Sequence, residues 1–125
     1  MRRGRALASI GVVSFALWLG AAIATATAQQ RDLARGKATF KELCAKCHGP
    51  EGKGNGKEAG TLETKPRDFT DCARMAKFTD DQLFRVIKGG GPAIEQSKDM
   101  PSYSESLEDD EIQDVLAFVR ALCVR

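Results

Sequence analysis

Between Gln30 and Cys47 the apolar residues Leu33, Phe40, Leu43 and Cys47 return at helical spacing. Arg31, Arg35, Lys37, Lys41 and Glu42 fall on the other side, so this stretch predicts one amphipathic helix. The periodicity stops at Gly49-Pro50-Glu51-Gly52-Lys53-Gly54-Asn55-Gly56, and polar residues continue to Arg67. So much glycine predicts a long loop, of the kind that is functional or wraps around something, and its spacing matches neither phosphate-binding fingerprint. Thr79-Asp80-Asp81-Gln82 has the form of a capping box, and Leu83, Phe84, Val86 and Ile87 follow before Gly89-Gly90-Gly91 stops a short second helix. A further irregular stretch runs through Met100-Pro101. Beyond it Ile112, Val115, Leu116, Phe118, Val119 and Leu122 form a broad apolar stripe behind the acidic residues Glu108, Asp109, Asp110 and Glu111, which suit a helix N-terminus. No alternating run is long enough for a strand, so the fold class expected is all-α with long loops.

The start of the chain follows different rules. Met1 to Arg5 carries three arginines, Ile10 to Ala24 is apolar and uncharged, and Ala24-Thr25-Ala26-Thr27-Ala28 supplies the small residues of a signal-peptidase site. Residues 1–28 are therefore expected to be a secretory signal peptide cleaved after Ala28, leaving residues 29–125 as one exported, periplasmic domain with no stable membrane insertion. That domain has 97 residues, near the lower limit for folding on an apolar core alone. Its 16 basic and 17 acidic residues nearly cancel, which argues against nucleic acid as a partner. In an oxidising compartment each of the four cysteines needs a fate, and Cys72 and Cys123, outside any motif, are expected to pair as a disulfide.

The other two belong to Cys44-Ala45-Lys46-Cys47-His48. Cys-x-x-Cys-His is the pattern of covalent haem attachment: two thiols add to the two vinyl groups of the porphyrin, and the adjacent histidine reaches the iron from the same segment. A thioredoxin-like redox pair would need a βαβ context that the pattern above does not show. Zinc would need further ligands at paired spacing, and His48 is the only histidine in the chain. With a single histidine, bis-histidine ligation is excluded and peroxidase chemistry lacks its usual distal acid-base. A methionine, a lysine or an open position remains for the sixth ligand, and Met75 and Met100 are the two methionines outside the leader. Met75 sits among Ala73, Ala76 and Phe78 before the capping box, where it can pack as ordinary core. Met100 lies in irregular chain before Pro101, which biases it to an extended backbone able to present a side chain inward.

These residues give the chain a resemblance to the small monohaem class I-type cytochromes c, over nearly all of residues 30–125. The marks are Gly36 and Phe40 before the Cys44–His48 motif and Gly49, then Lys65 to Thr70, then Met100-Pro101, then Val115 to Val119. The resemblance implies a cytochrome c fold of three to five helices wrapped around one covalently attached haem c, with the first and last helices crossing where Gly36 and Phe40 meet Val115 and Phe118. It implies Cys44 and Cys47 as haem attachment points, and His48 and Met100 as iron ligands. It implies a single-electron carrier rather than an enzyme, expected as a monomer that serves a redox protein donor and acceptor. Many relatives use a tryptophan on a haem propionate, whereas Trp18 lies in the leader, so Arg67, Lys65 and Tyr103 stand as propionate candidates. Glu108 occupies the place where relatives often carry a Ser or Thr cap. Lys46, Lys53, Lys57 and Lys98 are expected to flank the exposed haem edge and offer a docking side to an acidic partner, with association rates falling as ionic strength rises.

Overall fold

The computed structural model describes residues 31–123, and the expected signal peptide lies outside them. Described residues are helical, turn or irregular, with no strand among them. Asp32 caps α1 (Leu33–Thr39), its carboxylate accepting from the Ala34 and Arg35 amides at 3.0 and 2.9 Å. The helix then runs without a break through a π-helical segment (Phe40–Cys44), where the Ala45 amide reaches back to the Phe40 carbonyl, and into α2 (Ala45–His48). The apolar face differs from the expected one at its start. Leu33 is 50% exposed in the first turn, and the buried stripe is Gly36, Phe40 and Cys44.

The glycine-rich stretch turns out to be a cap for α2. Amides of Gly49, Glu58, Gly56 and Gly54 donate in turn to the carbonyls of Ala45, Lys46, Cys47 and His48, at 2.9, 2.9, 3.0 and 2.7 Å. Those four acceptors would otherwise have no intrahelical partner. The close approach explains a glycine at position 56, where a Cβ would stand 2.3 Å from the Lys46 carbonyl oxygen.

After a 3₁₀ turn (Ala59–Thr61), the short α3 (Cys72–Met75) precedes α4 (Asp80–Gly89), whose Thr79–Gln82 capping box forms as expected. A second 3₁₀ turn (Gly91–Ile94) follows, then irregular chain, then α5 (Asp109–Leu122). At the head of α5 the Glu108 amide donates to the Glu111 carboxylate at 2.9 Å, so Glu108 enters a reciprocal cap without a hydroxyl.

The core lies where α1 crosses α5, as the glycine and aromatic spacing predicts. Gly36 touches the backbone of Asp114, and the Phe40 and Phe118 rings pack at 5.2 Å. Phe40, Ile112 and Val115 are essentially inaccessible to water, each burial contributing about 1.5–3 kcal/mol. Asp114, 3% exposed, is satisfied from α1 by the Asp32 amide at 3.0 Å and Arg35 Nε at 2.5 Å. From the far end of α5, Arg120 donates to the carbonyls of Met75 and Phe78 at 3.0 and 2.6 Å and pairs with Asp80 at 2.8 Å, fixing the turn between α3 and α4. The expected disulfide joins Cys72 to Cys123 across 51 positions. In a chain-entropy account a loop of that length adds about 4 kcal/mol.

Candidate haem site

The four residues singled out in the sequence converge on one cleft. The π segment supplies Leu43 and Cys44, α2 supplies Cys47 and His48, and α4 supplies Leu83 and Val86. Met100 comes from the irregular chain before α5. The cleft holds about 890 Å³ of space between atoms, part of it open to solvent. An adjoining recess of about 460 Å³ shares Cys44, His48, Phe69, Leu83, Val86 and Met100, so the space continues inward to the core residues Phe40 and Val115. Its size and mostly apolar walls fit a large planar ligand better than an ion.

The donor chemistry fits haem in particular. His48 Nδ1 donates to the Arg67 carbonyl at 3.3 Å, and its ring stacks on Phe69 at 4.5 Å. This hydrogen bond fixes the tautomer and leaves Nε2 as the free lone pair, the arrangement in which a metal-binding histidine is oriented by its other nitrogen. Burial holds the imidazole pKa below its ordinary value, against the smaller opposing effect of the Arg67 carbonyl, so the neutral ligand form prevails at pH 7. Burial also pushes the Cys44 thiol up to about 12, with Cys47 adding to it, and burial followed by Glu58 raises Cys47. Thiol-disulfide enzymes instead lower such a thiol towards thiolate. Cys44 and Cys47 are unpaired with each other, as thioether formation requires. Among the described residues no cluster of three or more His, Cys, Asp or Glu side chains is placed to hold a metal ion.

Three residues proposed for propionates line the cleft, with different fates. The Tyr103 hydroxyl donates to the Leu43 carbonyl at 3.1 Å, and burial raises its pKa to about 12. The Arg67 guanidinium lies 4.0 Å from the Phe78 ring centroid and donates to Gln96 Oε1 at 3.1 Å. Lys65 is exposed at the rim. Sequence reasoning missed the Arg67 carbonyl altogether, because a backbone acceptor leaves no mark on residue type. It also overestimated the lysine side: Lys46, Lys53 and Lys98 each pair with a glutamate, Glu58 at 3.9 Å, Glu51 at 3.0 Å and Glu63 at 3.2 Å. Three of the four lysines expected to form a docking side therefore sit beside a carboxylate.

A family model described as "Cytochrome C oxidase, cbb3-type, subunit III" matches residues 31–119. Among solved structures, the KustC0563 c-type cytochrome is 27% identical with a TM-score of 0.55, over 70% of this chain and 95% of its own. A chain of the Kuenenia stuttgartiensis reducing HAO-like protein complex Kustc0457/Kustc0458 is 30% identical with a TM-score of 0.62, over 75% of this chain but 44% of its own. No curated protein sequence matches the chain.

Proposed function

The chain belongs to the c-type cytochrome family described as cytochrome c oxidase, cbb3-type, subunit III, a family of haem-based electron transfer, and on that premise we propose a single-electron carrier with one haem c attached through Cys44 and Cys47 and ligated by His48 and Met100. The observation that carries the reading is the meeting of all four side chains in one largely apolar cleft. When bound, the haem supplies reversible one-electron Fe(III)/Fe(II) chemistry. The chain does the rest. Cys44 and Cys47 fix the group covalently, and the Arg67 carbonyl and Phe69 ring hold His48 in one tautomer and orientation. Leu83, Val86, Phe69 and Ile94 line the cleft and would keep water from a bound haem. With haem bound, the Met100 thioether would serve as the second iron ligand, which would raise the potential and leave no place for a substrate, as suits a carrier rather than an enzyme.

In this reading residues 1–28 direct export to the periplasm and are removed, and the domain from residue 29 works as a monomer between a redox protein donor and acceptor. With Lys46, Lys53 and Lys98 paired to glutamates, docking relies on shape and apolar contact at the cleft rim more than on charge. The subunit named in the family's description and the complex named for one structural neighbour support a second reading, a chain docked stably to an oxidoreductase. Co-purification of an unrelated chain at fixed stoichiometry would favour it.

Covalent attachment is tested by the mass of the protein after export and denaturation. The expected mass is that of the chain from Gln29 plus one haem, and the Cys44→Ser/Cys47→Ser double variant should lose all haem on denaturation. A denatured wild-type chain free of haem would refute the assignment.

A further inference from the structure

We propose that Asp99 is a positioning residue that holds the methionine-bearing loop against the loop whose Arg67 carbonyl orients His48, a role that rests on the reading of Met100 as the sixth ligand. The two loops run past each other along one side of the cleft. Asp99 Oδ2 accepts the Thr64 amide across the gap at 3.0 Å and the Ser97 hydroxyl within its own loop at 3.0 Å. In return the Asp99 amide donates to Ser97 Oγ at 3.1 Å, closing a small ring immediately before Met100. Gln96 makes a second tether, its Oε1 accepting from Arg67 Nη2 at 3.1 Å. A third link, Lys98 to Glu63 at 3.2 Å, joins side chains 74% and 71% exposed and contributes little.

The Met100 backbone is itself pinned at both ends. Its amide donates to the Ser97 carbonyl at 3.3 Å, and its carbonyl accepts the Gly91 amide at 3.0 Å. Met100 therefore moves with the loop that Asp99 ties down, and the loop cannot swing away without breaking the Thr64 bond. A thioether is a weak ligand, so its occupancy of the iron depends on how far the chain pre-organises it. Loss of that pre-organisation raises the apparent affinity of any competing ligand in proportion to the fraction of molecules with Met100 displaced.

The test is a titration of ferric holoprotein with imidazole, following the weak long-wavelength sulfur-to-iron band, together with the potential of each variant. Hydrogen bonds to a partly exposed carboxylate contribute enough that Asp99→Ala should bind imidazole at least about fivefold more tightly than wild type. Its potential should be lower. Asp99→Asn, which keeps one oxygen acceptor, should fall between the two, and Lys98→Ala should stay within about twofold of wild type. If Asp99→Ala does not yield folded holoprotein, Gln96→Ala severs the other tether and should shift affinity in the same direction. Asp99→Ala, or failing it Gln96→Ala, with wild-type imidazole affinity would overturn the inference while leaving Met100 ligation intact. A wild-type ferric protein without the sulfur band would overturn both.

Discussion

Holoprotein carrying Met100→Ala is expected to lose the weak long-wavelength sulfur-to-iron band in its ferric state, bind carbon monoxide in its ferrous state and show a lower potential. Axial ligands set haem potentials over a range of roughly 0.8 V, so removing a thioether should lower the potential by tens to hundreds of millivolts. Met75 is the control that makes the result specific. It is 1% exposed and packs in the core, and its carbonyl is held by Arg120 from α5. Met75→Ala should therefore cost stability, about 2–5 kcal/mol for a buried methionine, while leaving the band in place. The reverse pattern, with the band lost in Met75→Ala and kept in Met100→Ala, would refute the ligand assignment.

Gly36→Ala is expected to be among the most damaging single substitutions outside the haem motif. A Cβ at this position would lie 2.1 Å from the Asp114 carbonyl oxygen and 2.5 Å from its carbon. Both are backbone atoms of α5 and cannot rotate away. The two helices must separate, opening the Phe40–Phe118 contact and loosening the bonds from Asp32 and Arg35 to Asp114. Alanine would gain up to about 1 kcal/mol of helix propensity, and overpacking against rigid backbone outweighs it, for a net loss of at least about 3 kcal/mol. In a domain of this size that lowers the thermal midpoint by about 12–24 °C. A midpoint equal to or above wild type would show that the crossing is looser than the packing indicates.

What the sequence made legible follows from how directly each feature is encoded in residue type. The Thr79 capping box, the apolar stripe of α5, the glycine at the crossing and the pairing of Cys72 with Cys123 all rest on side chains whose chemistry has few alternatives, and all appear in the fold. Cys44, Cys47, His48 and Met100 follow from spacing and resemblance, and the fold brings them to one cleft. Features set by backbone register or by distant partners were not legible. The π segment at Phe40–Cys44 is a one-residue shift in hydrogen bonding that leaves no compositional trace, and it accompanies the burial of Cys44 beneath the cleft. The glycine-rich stretch reads from sequence only as a long loop, because its order lies in backbone amides that cap α2. Three of the four lysines that read as a docking side, Lys46, Lys53 and Lys98, are paired with glutamates, two of these a dozen or more positions away in the chain, and single-sequence patterning does not show such pairs.

The most direct test of the whole account is the visible absorption spectrum of the purified wild-type protein in its ferric and ferrous states, recorded with and without carbon monoxide. A low-spin spectrum in both states, with the sulfur-to-iron band in the ferric form and no change on adding carbon monoxide to the ferrous form, is the predicted result. A high-spin spectrum that shifts on adding carbon monoxide would contradict the account, because it would mean an open iron position and the chemistry of a ligand-binding haem protein rather than of a carrier.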